Sequence, residues 1–209
     1  MPEKIVVIGG GGHAKVLINV IQKLRNFQIV GYVDHRDFGN LSGVQYLGND
    51  DFLYDLVNKK ITSAALGVGQ VHLTDKRNEI INRIKELGFK FPFILSPDAV
   101  INKNVIIEDG VHVFDGVVIN CDSIIRDFSI INTNSTIEHD CIIGKFCHIA
   151  SGATLSGGVE IGDNSMIGSN AVVVQYKKIT KNTLIGSGGV VINDILESGT
   201  YVGNPVRKV

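Results

Sequence analysis

An aliphatic residue occupies every sixth position over the C-terminal half of this sequence, and no position of the series is missed. A period of six fits neither the 3.6-residue period of an α-helix nor the alternation of a simple strand. It is the signature of a hexapeptide-repeat β-helix, in which three hexads form one triangular coil. The series runs Leu95, Ile101, Ile107, Val113, Ile119, Ile125, Ile131, Ile137, Ile143, Ile149, Leu155, Ile161, Ile167, Val173, Ile179, Ile185 and Val191.

The same period predicts which other side chains lie inside the coil. The residue four positions after each aliphatic is usually small or compact, and we expect it to point inward as well. Cys141 and Cys147 occupy this slot, so we interpret them as small buried hydrophobes rather than reactive thiols. Residues eighteen positions apart should stack in columns. Function must therefore come from residues that interrupt the pattern or point outward.

The N-terminal half alternates between strand and helix patterns. Apolar runs at residues 4–9, 28–33 and 62–67 predict three buried strands, and a helical pattern follows each of them. This alternation is typical of a small doubly wound α/β unit with a parallel sheet. We predict a Rossmann-like domain over residues 1–94 and a left-handed parallel β-helix with a C-terminal cap over residues 95–209.

Composition and charge exclude several functional classes. The net charge of -1 creates no global field that would attract nucleic acid or a membrane surface. No apolar run approaches the roughly 20 residues that span a bilayer, and the N-terminus lacks the pattern of a secretory signal. The three cysteines show no metal-type spacing. We therefore expect a cytoplasmic protein without a metal, a nucleic-acid partner or a membrane partner.

Four consecutive glycines follow the first predicted strand and precede a helix. Gly11 and Gly12 would let the backbone approach a ligand, and the helix N-terminus just before His13 offers N–H groups to an anion. Asp34 ends the second strand, where a ribose-binding acid would sit, and Gly67 follows the third strand at the same sheet edge. We favour a nucleotide-type ligand here over the alternative of a tight turn with a solvated aspartate.

A histidine between two acids forms the second candidate site. His139 is the third residue of its hexad, an outward-facing position, and Glu138 and Asp140 flank it. A flanking carboxylate could orient the ring and stabilise the imidazolium, which suits a general base. The alternative is an ordinary surface histidine, and the spacing leaves open which acid contacts the ring. We expect His72 and His112 to lie at the surface.

Small residues near this histidine form the third candidate site. Gly157 should stack one coil above His139, and Ser151, Ser169 and Ser187 should form another column. With His148, such a groove could admit a long, thin ligand such as a pantetheine arm. The alternative is that the glycines serve only as corners of the coil.

Taken together, these motifs resemble a known family. The run Gly9-Gly-Gly-Gly-His13-Ala-Lys15, the short α/β domain and hexads that carry Ile137-Glu-His139-Asp140 resemble the NeuD/PglD-type sugar acetyltransferases. The resemblance covers essentially the whole chain. It implies a homotrimer with active sites between neighbouring subunits, a nucleotide-linked amino sugar bound by the N-terminal domain, and acetyl-CoA bound by the β-helix.

The resemblance also implies a role for each candidate residue. His139 would be the catalytic base, and Asp140 would raise its basicity. The acetyl-CoA side would consist of His148, Gly157, Ser169 and Ser187. The nucleotide-sugar side would consist of Gly11, Gly12, His13, Asp34, His35 and Gly67. Two positions depart from the family pattern, because Asp140 stands where relatives often have glutamate and Asp34-His35 stands where they often have two acids.

We therefore predict acetyl transfer from acetyl-CoA to the 4-amino group of a UDP-linked 4-amino-4,6-dideoxyhexose. Three alternatives stay open at this point. The acceptor could be a GDP-linked amino sugar, or a hydroxyl of a sialic-acid-like sugar. In the third alternative the chain is a non-catalytic trimer that only binds a nucleotide sugar.

Overall fold

A computed structural model describes residues 1–70 and 76–209, and His72 lies outside the described residues. These residues fall into two compact units, one formed by 1–70 with 76–97 and the other by 98–209. The two units have different architectures and are described in turn.

The first unit is a parallel sheet with helices between its strands, as predicted. The strand order is β3-β2-β1-β4, and all neighbouring strands are parallel. Strand β3 was not predicted from the sequence, because it is only three residues long and its apolar content is small. The elements are β1 (Glu3–Ile8), α1 (Gly12–Lys23), β2 (Phe27–Val33), β3 (Tyr46–Gly48), α2 (Phe52–Asn58), β4 (Ser63–Leu66), α3 (Lys76–Glu86) and β5 (Ile94–Leu95).

The second unit is the predicted left-handed parallel β-helix. Its short strands pair in register with strands eighteen residues away, for example Ile125 with Ile143, so three hexads make one coil. Its strands are β6 (Val100–Ile101), β7 (Ile106–Ile107), β8 (His112–Val113), β9 (Val118–Ile119), β10 (Ile124–Ile125), β11 (Ile130–Ile131), β12 (Thr136–Ile137), β13 (Ile142–Ile143), β14 (His148–Ile149), β15 (Thr154–Leu155), β16 (Glu160–Ile161), β17 (Met166–Ile167), β18 (Val172–Val173), β19 (Lys178–Ile179), β20 (Thr183–Ile185), β21 (Val190–Val191), β22 (Gly199–Gly203) and β23 (Val206–Lys208).

The strands form three faces of a triangular coil. One face carries β7, β10, β13, β16 and β19, and a second carries β6, β9, β12, β15, β18 and β21. The third includes β8, β11, β14, β17 and β20, and it is extended by β22 and the antiparallel β23. This final hairpin covers the residues for which a C-terminal cap was predicted.

Sharp corners connect the faces, and each corner needs one residue with positive φ. Such a residue occurs at every sixth position from Asn104 to Gly188. Glycine, asparagine and aspartate adopt this left-handed conformation at low cost, and they fill most of the corners. Asp140 is one of them, with φ of 59°. The conformation of the corner therefore fixes where the backbone of the preceding residue, His139, lies.

The interior of the coil is filled by the predicted aliphatic column. From Val113 to Val191 these side chains are at most 2% exposed, and burying each stabilises the fold by about 1.5–3 kcal/mol before entropy is subtracted. Cys141 and Cys147 are fully buried, as expected. Buried polar side chains bond to corner carbonyls, as when the Ser129 hydroxyl donates to the Gly144 carbonyl at 2.7 Å.

One histidine lies in a different environment from the one expected. His112 was predicted at the surface, but it is only 1% exposed. Its ring packs edge-on against Phe114, with 6.4 Å between ring centroids. The sequence period assigns a residue to the outward side of a strand, and it does not reveal whether other groups cover that side.

None of the helices in the described part of the chain combines the length and the hydropathy needed to cross a membrane.

Candidate functional site

The four-glycine loop lies at the carboxyl edge of the parallel sheet, and its glycines differ in what they contact. A side chain on Gly10 would meet the rings of Phe38 and Tyr32 at 2.7 Å, so this position is closed by packing. Side chains on Gly11 or Gly12 would meet nothing within 4 Å. Gly11 is also the N-terminal cap of α1. The backbone at Gly11 and Gly12 is therefore open to a ligand, next to the positive end of a helix dipole.

Asp34 holds this loop in place. One carboxylate oxygen of Asp34 accepts a hydrogen bond from the backbone N–H of Gly10 at 2.7 Å, and the other accepts from the N–H of Arg36 at 3.2 Å. The second oxygen also lies 2.5 Å from Nδ1 of His35. The Asp34 side chain is 11% exposed, whereas the His35 side chain is 90% exposed. Asp34 thus shapes the cleft, and His35 presents its ring to solvent.

A cleft of about 350 Å³ lies beside the loop and brings the predicted nucleotide-side residues together. Its lining includes all six of them, which are Gly11, Gly12, His13, Asp34, His35 and Gly67. It also includes Phe38 and Ile80, which the sequence did not single out. An adjoining cleft adds Arg83 and Asp50, which form an ion pair. Helix α3 therefore contributes part of the cleft lining, which no local sequence motif predicted.

His139 lies on the β-helix at the corner between β12 and β13. Its Nδ1 is 2.7 Å from Oδ2 of Asp140, and the two side chains are 47% and 64% exposed. A carboxylate accepts but does not donate, so in the neutral form of the ring this contact places the hydrogen on Nδ1 and the lone pair on Nε2. Asp140 makes this contact from a corner position with left-handed backbone conformation.

The second acid beside His139 has a different partner. Oε2 of Glu138 accepts a hydrogen bond from the amide of Asn120 at 2.8 Å, and that amide in turn accepts one from Asn102 at 2.7 Å. Asp140 is therefore the acid that contacts the His139 ring. The sequence had left this choice open.

Gly157 stacks on His139, as the column of eighteen predicts. A Cβ atom on Gly157 would lie 2.5 Å from both Cε1 and Nε2 of the His139 ring. The N–H of Gly158 donates to the carbonyl of His139 at 2.8 Å, which fixes the two corners relative to each other. The absence of a side chain at Gly157 thus leaves the Nε2 edge of the ring accessible.

The remaining residues of the predicted acetyl-CoA side lie elsewhere on the coil. His148 is on β14, is 7% exposed, and its Nε2 is 3.1 Å from the amide nitrogen of Asn132. Ser169 and Ser187 occupy the corner that follows β17 and β20, not the corner of His139. Within one β-helix, Ser169 and Ser187 therefore lie at a different corner from His139, and His148 lies on a strand of the face that includes β17 and β20.

In residues 1–70 and 76–209 no group of three or more histidine, cysteine or carboxylate side chains is arranged to hold a metal ion.

Two family models match the chain. The model of the PglD N-terminal domain matches residues 4–84, and the model of the GMPPB C-terminal domain matches residues 92–203. A sequence search of curated proteins finds no significant match.

Solved structures match over nearly the whole length. PerB from Caulobacter crescentus, in complex with CoA and GDP-perosamine, is 32% identical with a TM-score of 0.92, covering 99% of this chain and 97% of that one. The acetyltransferase domain of PglB from Neisseria gonorrhoeae, in complex with acetyl coenzyme A, is 32% identical with a TM-score of 0.91 over 100% of both chains. WeeI from Acinetobacter baumannii, at 24% identity and a TM-score of 0.85 over 99% and 100%, supports the fold. The chain belongs to the NeuD/PglD-type sugar acetyltransferases.

Proposed function

We propose that this protein transfers the acetyl group of acetyl-CoA to the 4-amino group of a nucleotide-linked 4-amino-4,6-dideoxyhexose, with a UDP sugar as the first candidate. The observation that carries the proposal is the His139–Asp140 pair, which is exposed at a corner and faces a glycine on the next coil. A β-helix that served only as a scaffold would not require an oriented histidine with an accessible nitrogen.

In the proposed reaction the amine nitrogen attacks the thioester carbonyl carbon, and a C–N bond forms. Nε2 of His139 takes a proton from the attacking nitrogen, while Asp140 stabilises the imidazolium through Nδ1. Collapse of the tetrahedral intermediate breaks the C–S bond, and the His139 imidazolium returns its proton to the CoA sulfur, which leaves as the thiol. Bringing the two substrates together supplies much of the acceleration, and the base adds roughly 10²–10⁴-fold.

The oxyanion of the intermediate needs a hydrogen-bond donor beside the base. The N–H of Gly158 is already engaged with the His139 carbonyl. We therefore assign this role to the backbone N–H of Gly157, the residue that stacks on the ring.

We further propose that the active protein is a homotrimer with its sites between neighbouring subunits. His139 occupies one corner of the coil, while Ser169 and Ser187 occupy another, so a single β-helix does not surround one acetyl-CoA with all of them. In a trimer, His139 of one subunit would face the acetyl-CoA groove that His148, Ser169 and Ser187 of a neighbour help to form. We place the reaction in the cytoplasm, since the free thiols of the chain fit a reducing compartment.

On the acceptor side, the cleft at the glycine loop would hold the nucleotide diphosphate. Open backbone at Gly11 and Gly12 and the N-terminus of α1 suit a pyrophosphate. A GDP-linked sugar is the second candidate, because PerB, at 32% identity over nearly the whole chain, binds GDP-perosamine. Two further outcomes remain for the test, which are O-acetylation of a sialic-acid-like sugar and nucleotide-sugar binding without catalysis.

The proposal is tested by measuring thiol release from acetyl-CoA with a panel of UDP- and GDP-linked 4-amino sugars and free sialic acid. We expect release with a nucleotide-linked amino sugar, and the preferred nucleotide will show in kcat/KM. Release with sialic acid alone would replace N-transfer by O-transfer. Absence of release with every acceptor would leave only the binding function.

A further inference from the structure

Helix α3 buries a charged side chain directly behind the nucleotide cleft. Arg77, the second residue of α3, is 4% exposed. Its Nε donates a hydrogen bond to the carbonyl of Val68 at 3.1 Å, and its Nη1 donates to Oε1 of Gln70 at 3.2 Å. Gln70 is likewise 4% exposed. One guanidinium therefore holds two points of the segment that follows β4.

Three residues of this segment line the cleft, next to the glycine loop. Gly67, Val68 and Gly69 all line the cleft. A Cβ on Gly9 would lie 3.1 Å from the Val68 side chain, and a Cβ on Gly69 would lie 3.2 Å from Cβ of His13. A shift of residues 67–70 by even a fraction of an ångström would thus change the width of the cleft.

Burying a charged arginine costs free energy, so its use here indicates that the positions of its hydrogen-bond donors matter. Burial lowers the pKa of Arg77 to about 10, so the side chain still carries its charge at neutral pH. Its planar fork aims fixed donors at a carbonyl and at an amide together, which a lysine ammonium on a flexible stem does not reproduce. The charge also lies behind a cleft whose proposed ligand carries a diphosphate.

We infer that Arg77 is a positioning residue for the nucleotide end of the substrate, because it fixes the Val68–Gln70 wall of the cleft from behind. This inference rests on the proposed function. It assigns a specific task to a residue that does not itself line the cleft. Its loss should weaken nucleotide binding and leave the acetyl-CoA side unchanged.

The test compares Arg77→Lys with the wild-type protein, using calorimetric titration with UDP and with GDP and steady-state kinetics with both substrates. Losing the fork should let the segment of Val68 and Gln70 shift, weaken nucleotide binding and raise KM for the nucleotide sugar by about tenfold, the size expected for an indirect effect on a binding site. The kcat at saturation and KM for acetyl-CoA should stay within about twofold. Lys76→Met, which removes an exposed charge from the same helix, is the matched control and should change nothing.

A second variant keeps the test valid if Arg77→Lys does not fold. Gln70→Asn leaves Arg77 in place and shortens only its amide partner, so the nucleotide-specific loss should recur at a smaller size. Wild-type nucleotide affinity in both variants would overturn the positioning role. An equal loss on the nucleotide and acetyl-CoA sides, with a lowered melting temperature, would also overturn it. If the wild-type protein binds neither UDP nor GDP, the proposed function fails first and the role of Arg77 fails with it.

Discussion

The two units of this protein build their candidate binding groups in different ways. In the β-helix, each residue has a place that the six-residue period dictates, and Gly157 lies on His139 because the two are one coil apart. In the α/β unit, the cleft is assembled from a glycine loop, the end of β2 and helix α3, which are far apart in sequence. The arrangement at His139 is therefore set by regular stacking of coils, and the cleft of the α/β unit is set by tertiary packing.

This difference implies a division of labour. The β-helix corner carries an exposed histidine whose ring Asp140 orients. The α/β unit carries open backbone at a helix N-terminus and buried groups that shape a cleft. Substitutions in the first should therefore alter turnover, whereas substitutions in the second should alter the affinity for the nucleotide.

The largest effect is expected at His139. His139→Ala should lower kcat by about 10²–10⁴-fold, because the attacking amine loses its general base, while acetyl-CoA binding stays intact. The measurements are steady-state thiol release and calorimetric titration with acetyl-CoA. Cys121→Ala, one coil earlier in the same column and also exposed, is the matched control. Wild-type turnover of His139→Ala would remove this residue from the mechanism.

Gly157→Ala should produce the next largest effect. The added methyl group would lie 2.5 Å from Nε2 of His139, so the ring must move or lose its access to the amine. We expect kcat to fall by about 10²-fold, since misplacement of a catalytic group by about 1 Å costs this much. Affinity for UDP or GDP should not change. An unchanged kcat would show that the Nε2 edge is not the working side of the ring.

Gly11→Ala tests the other unit with the same added methyl group. Nothing lies within 4 Å of the new atom, so the fold should tolerate it, but the methyl would stand in the cleft. We expect KM for the nucleotide sugar to rise about tenfold and kcat to change by less than about twofold, as for a change in ground-state binding. A fall in kcat with unchanged KM would break the proposed division between the units.

The smallest expected effect is a loss of stability at high pH. It arises from the inward column of the β-helix, which contains two of the three cysteines. Burial raises the pKa of Cys141 to about 11 and that of Cys147 to about 12. Above pH 9 these thiols ionise in the unfolded chain but not in the folded one, so the folded state binds more protons. The free energy of unfolding should therefore fall as pH rises from about 9 towards 12.

Chemical denaturation at pH 8 and at pH 10 measures this dependence. Cys147→Ala should show a smaller loss of stability between the two pH values than the wild-type protein. Alkylation of the native protein should modify Cys121 and spare Cys141 and Cys147. Rapid labelling of Cys147 in the folded protein would contradict the inward assignment.

The contrast between the units also explains what the sequence could predict. The β-helix, its inward column and the His139–Gly157 stack follow from one period, because a coil of fixed length converts spacing into contact. The glycine loop and Asp34 follow from a local motif at a sheet edge. Phe38 and Ile80 could not be identified, since only the packing of a loop and of α3 against the sheet brings them to the cleft. Arg77 could not be identified either, because only the fold brings it to the Val68 carbonyl. His112 was misplaced for a related reason, because spacing does not report what covers an outward side chain.

The most direct test of the account compares one amino sugar with and without its nucleotide as acceptor, in the same thiol-release assay. If the α/β unit binds the nucleotide and the β-helix performs the transfer, kcat/KM should fall by several orders of magnitude without the nucleotide, and the acetyl group should appear on the 4-nitrogen of the linked sugar. Equal rates with the two acceptors, or acetylation at another position, would contradict it.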